Sequence, residues 1–186
     1  MRKGLVVAPI LLVLAVATGS KFVDVRKDLL SQREAMDAQW EAVRNVLDQR
    51  SELAPEVVDR VKAFMPNETG IFREIAESRE ALRTATAPKA ALDANARLSY
   101  GLWNLIALSE NSASLRKDAT FSRLQDELAA IENSIAVERQ KYNETLEHYN
   151  AQLQRFPDNV VAYFSGFGRN DAYFQTEMGV RNETKG

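Results

Sequence analysis

Two arginines stand where the surrounding pattern calls for apolar side chains. Arg50 interrupts the seam Met36, Trp40, Val43, Leu47, Ala54, Val57, Val61 and Phe64, whose spacings alternate four and three, and Arg79 falls seven residues after Phe72 on the next apolar stripe. A guanidinium turned inward requires a carboxylate or amide partner, and Glu132, Glu138, Asn143 and Asn150 are the groups that a later stretch offers. Arg139 lies on that stretch too, as do Tyr142 and Tyr149, whose hydroxyls need partners if the rings are buried. Such a set has two uses. It can be a structural network that fixes helix register, or a polar pocket around Arg50, Arg79, Glu132 and Tyr142 that senses a small anionic ligand. The residue pattern favours the network.

Other chemistry finds little to stand on. The chain has no cysteine, and its single histidine, His148, lacks the Glu-x-x-His spacing of di-iron helical sites. No catalytic set, metal site or cofactor is therefore expected. The carboxylate pairs Glu127/Glu132 and Glu144/Glu147 read as solvated charges, and "SGFG" at 165–168 reads as a short flexible patch, since no strand precedes it to make a phosphate loop. With 24 basic against 26 acidic residues the chain has no basic footprint for nucleic acid.

The elements that would position these residues are helical. Glycine and proline are scarce, eight and five in 186 residues, and the apolar positions recur at helical spacing. The seam from Met36 predicts a long first helix, kinked at Pro55 and ended by Met65-Pro66-Asn67. A second helix starts near Glu68 and breaks at 85–88; a third carries Leu92, Leu98, Leu102, Leu105, Ile106 and Leu108 and dissolves in "SENSAS". A fourth presents Phe121, Leu128, Ile135, Tyr142, Tyr149 and Phe156 at sevenfold spacing until Pro157 stops it. Its second track drifts from three residues behind the first (Leu124, Ile131) to four (Leu146, Leu153), which indicates a broad face rather than a two-stranded seam. Short connections favour antiparallel neighbours. The expected fold is all-α: an up-and-down antiparallel four-helix bundle with a long first helix, preceded by an N-terminal membrane-anchor or signal helix.

That last element rests on Arg2 and Lys3 ahead of an uninterrupted apolar run from Leu5 to Ala17. The run suits either a signal sequence cleaved after Ala17 or an anchor that stays in a thin bilayer. The organisation expected is an anchor or signal over 1–24, a helical domain over 25–175 and a polar tail over 176–186.

"FSRLQDELAAIENSIAVERQKYNETLEHYNAQLQRFP", followed by "AYFSGFGRNDAYF", resembles the C-terminal half of the LemA family, with Phe121-x-x-Leu124-Gln125, Glu132-Asn133-x-Ile135-x-x-x-Arg139 and the two Tyr-Asn pairs at 142 and 149. Trp40, Arg50, Pro55, Lys62, Arg79 and "LSYGLWNL" also fall at that family's spacings, so the likeness runs from about residue 36 to 174. The resemblance implies a helical bundle held by its N-terminus at the bacterial inner membrane, single-pass, with the N-terminus cytoplasmic and the bundle outside the cytoplasm. It implies no catalytic residues and no cofactor. It further implies a scaffold or adaptor in membrane-protein quality control or membrane shaping. The partners expected are membrane lipid through the N-terminal segment, and a membrane protein or a second copy of the chain.

Overall fold

The computed structural model describes the backbone of residues 4–173 and side chains from residue 19. Every regular element described is helical: α1 (Gly4–Lys62), α2 (Thr69–Thr84), α3 (Pro88–Ser109), a 3₁₀ turn (Leu115–Lys117), α4 (Ala119–Gln152) and α5 (Asp158–Ser165). α1 reaches far upstream of Met36, and its buried seam does too: Leu29, seven residues earlier, is fully buried. Most of the expected anchor or signal segment, 1–24, and the tail, 176–186, fall outside the described side chains. Among the described residues no helix is long and apolar enough to cross a membrane.

The breaks have local causes. Ala87 is held in the extended region ahead of Pro88, which occupies the first turn of α3, where a missing N–H is harmless. Asp118, also extended, accepts a 2.7 Å hydrogen bond from Phe121 N and so caps α4. Gly166 takes φ +74°, the left-handed conformation that stops α5, and Phe167 N donates back to Ala162 O at 3.0 Å.

The helices fall into two compact units. Among the described residues, one comprises Gln39–Asn143 with Ala172 and Tyr173. Within it α1 and α4 run antiparallel: Arg60 meets Asp118, Arg50 meets Glu132, and the Trp40 and Tyr142 rings lie 5.6 Å apart. Its core joins Val43, Leu47, Val57 and Val61 to Ile75 and Leu82 of α2, Leu98, Leu102 and Leu105 of α3, and Phe121, Leu128 and Ile135 of α4. α2 and α3 approach closely at Gly101, where a Cβ would stand 2.9 Å from Ile75 Cγ1.

The other unit comprises Met1–Ala38 and Glu144–Asp171. It buries Leu29, Met36, Leu146, Tyr149, Val161 and Ala162. It also leaves much apolar surface uncovered. Phe22, Val23 and Leu30 of α1, and Phe156, Val160, Tyr163 and Phe164 at α5, are exposed, whereas the larger unit exposes only Phe64, Tyr100, Trp103 and Val137 among its large apolar side chains described.

Three expectations need correction. α5 is a fifth helix, not anticipated among the four. Phe156 is 84% exposed and not core, because α4 ends at Gln152. The bonds Gln154 N to Ala151 O and Arg155 N to Gln152 O tighten the chain into i→i+3 turns, so position 156 leaves the face that Tyr149 occupies. Phe64 likewise lies past the end of α1, half-exposed beneath the Arg60 guanidinium, which sits 5.3 Å from the ring centroid.

Candidate functional site

Arg50 is 1% exposed, and it draws three helices together. Its Nη1 donates to Asn95 Oδ1 at 2.8 Å and to Ser99 Oγ, both on α3, and Nη2 pairs with Glu132 on α4. Nε has no hydrogen-bond partner among the described residues. Burial, with Arg139 adding repulsion, pushes the guanidinium down to about 10. It therefore stays charged at neutral pH, and the Glu132 carboxylate is what balances it.

Arg79 does something the sequence did not suggest. Its Nε donates to the Ser51 carbonyl at 2.7 Å. Ser51 stands four residues before Pro55, which has no N–H to give that carbonyl, yet α1 continues through the proline without a break. Arg79 of α2 thus replaces the missing intrahelical donor. A double-mutant cycle checks this dependence. Arg79→Met is expected to destabilise the chain by about 1.5–3 kcal/mol, the value of a hydrogen bond to a charged donor, because the Ser51 carbonyl is orphaned. With Pro55→Ala, residue 55 supplies its own N–H and the same Arg79→Met change becomes nearly neutral. Additive losses in thermal melts would show that the two residues are independent.

Arginines of α1 serve the other helix ends similarly. Arg44 donates to the Ala85 and Arg83 carbonyls at 3.1 and 3.3 Å, closing the C-terminus of α2. Arg60 makes a two-point pair with Asp118, the cap of α4. That pairing, with the Phe121 N–H, holds the Asp118 carboxyl below its ordinary range.

The remaining candidates separate. Glu138 accepts from Gln39 Nε2 at 2.6 Å and Lys141 Nζ at 2.7 Å; Lys141 first and Gln39 second keep its carboxyl below the usual range. Tyr142 is buried against Trp40, and Asn143 is half-buried on the same helix. Tyr149 and Asn150 belong to the other unit, where they hold the chain beyond α5. Tyr149 OH donates to Gly168 O at 3.0 Å, and burial raises its hydroxyl above the ordinary value. Asn150 brackets the Asn170 backbone, donating to its carbonyl at 2.6 Å and accepting from its N–H at 3.0 Å. "SGFG" is accordingly a helix stop followed by a tethered segment. Beside it a polar cleft of about 410 Å³ is lined by Arg33, Asp37, Tyr149 and Asn170.

The structure thus unites Arg50 with Glu132, beside Arg139, but sends Arg79 to a backbone carbonyl and places Tyr149 and Asn150 elsewhere. Sequence reasoning missed Asn95, Ser99 and the Arg60–Asp118 pair. Asn95 carried a usable signal, because it sits three residues before Leu98 on the α3 stripe, as anomalous there as Arg50 is on its own. Among the described residues no group of three potential ligands is arranged to hold a metal ion.

Comparison with known proteins finds relatives of the chain. Two magnetosome proteins of Paramagnetospirillum magneticum, MamQ 1 and MamQ 2, are each 31% identical over 87 residues, 47% of this chain and 32% of theirs. MamQ of Magnetospirillum gryphiswaldense is 26% identical over 93 residues, 50% of this chain and 34% of its own. The chain therefore matches about a third of the length of these relatives. The LemA family model matches far more, residues 39–185, which include Arg50, Pro55, Arg79 and both Tyr-Asn pairs. The chain belongs to the LemA family.

Proposed function

We propose that this chain is a non-enzymatic scaffold or adaptor of the bacterial envelope. It is held at the inner membrane by its N-terminal apolar run and presents an up-and-down helical bundle outside the cytoplasm to a membrane protein or a second copy. The observation that carries the reading is how the buried cation is used. Arg50 is contacted by Asn95, Ser99 and Glu132 of its own fold, which supports an architectural use of the most unusual side chain in the core over a ligand pocket. The run from Leu5 to Ala17 behind Arg2 and Lys3 supports membrane attachment, and kinship with magnetosome proteins is compatible with it.

Two measurements test the two halves. Mass spectrometry of the mature chain from washed membranes is expected to find residues 1–17 retained; a soluble chain beginning at Thr18 would sink the anchor. A pull-down from intact membranes is expected to retain one stoichiometric partner. A small molecule bound tightly to the purified chain would instead support a ligand-sensing function, with the polar core as its pocket.

A further inference from the structure

α5 packs its small apolar side chains inward and turns its largest ones outward. Val161 and Ala162 are buried, while Tyr163 and Phe164 are 81% and 74% exposed; Val160 adds to that uncovered face, and Phe156, just ahead of the helix, is exposed as well. Three aromatic rings bared within nine residues need a reason, since such contiguous patches mark contact surfaces. Their place in the fold supplies one. In this unit Tyr149 lies near Arg33 and Asp37, so α4 runs antiparallel to α1 and the chain leaving it heads toward the N-terminal end of α1. There Phe22, Val23 and Leu30 are exposed as well, on the helix that begins with the apolar run from Leu5. Both uncovered sets belong to the unit whose chain leads back to the proposed anchor.

We propose that α5 lies in the interface of the lipid bilayer that the N-terminal run enters, with Phe156, Tyr163 and Phe164 among the acyl chains and headgroups. The inference rests on the membrane reading above. Phenylalanine and tyrosine are the side chains that favour this boundary, one end apolar and, in tyrosine, the other wet. Exposed Lys21, Arg26, Lys27 and Arg155 can extend their charged ends to the headgroups. Asp24, Asp28 and Asp158 nearly balance them, so insertion is driven by apolar burial and should be little affected by salt.

Because the chain has no cysteine, single labels are unambiguous. Nitroxides at Tyr163→Cys and Phe164→Cys, and at Tyr100→Cys as an exposed control on α3, are placed in the full chain in phosphatidylethanolamine–phosphatidylglycerol vesicles. Collision with oxygen and with a polar nickel chelate then reports depth. The expected result is co-sedimentation with the vesicles and an oxygen-to-nickel ratio several-fold higher at 163 and 164 than at 100, unchanged by added salt. Co-sedimentation with equal ratios at all three sites overturns the lipid contact of α5 and leaves the anchor standing. Exclusion of both reagents at 163 and 164 overturns it in favour of a protein contact. A chain that fails to sediment overturns the membrane reading and this inference with it.

Discussion

Arg50→Met is expected to destabilise the chain by about 3 kcal/mol, and Glu132→Leu by more, toward 5, within the usual range for removing one member of a buried ion pair. The asymmetry comes from exposure. Glu132 is 29% exposed, so water reaches its carboxylate when the arginine is gone, whereas Arg50 is left 1% exposed with an uncompensated charge when the glutamate is gone. The double variant is expected to recover much of either loss, because an apolar pair of similar volume needs no counter-charge. Recovery is incomplete, since Asn95 and the half-buried Ser99 lose their donor. Thermal melts of the four proteins decide the matter. A single variant melting above the parent would mean that Arg50 is held in the core at a cost to stability, as a ligand site requires, and would overturn the structural account.

Leu128→Ala should be the other large loss, about 2–5 kcal/mol, from removing three buried carbons of a side chain 3% exposed in the first third of α4. The informative comparison is Phe156→Ala. Both residues fall on the same sevenfold track, so a reading from periodicity alone assigns them similar sensitivity. With 84% of Phe156 exposed, the change there should stay within about 0.5 kcal/mol in detergent. Equal losses would place Phe156 in the core and remove α5 from the surface.

That pair shows what was legible in the sequence and what was not. Phe121, Leu128, Ile135, Tyr142 and Tyr149 are buried as their spacing predicts, since a helix face is a local, repeating property. Where the helix stops is decided by a few hydrogen bonds in one turn, which is why Pro157 proved a poor guide to an end at Gln152. α5 spans eight residues, too few for periodicity to register, and only Gly166 hinted at its C-terminus. The network was half legible. Arg50 announced itself as a charge on an apolar seam and found the expected Glu132, whereas its α3 partners depend on how three helices meet. The task of Arg79 was hidden because it answers a vacancy on another helix, a carbonyl that Pro55 leaves unserved.

That dependence has a hereditary side. A lineage that acquires the proline before the arginine carries a weakened first helix, and one that later loses the proline no longer needs the arginine. Pro55 and Arg79 therefore act as one device at two positions, and across descendants of this sequence they are expected to be gained and lost together.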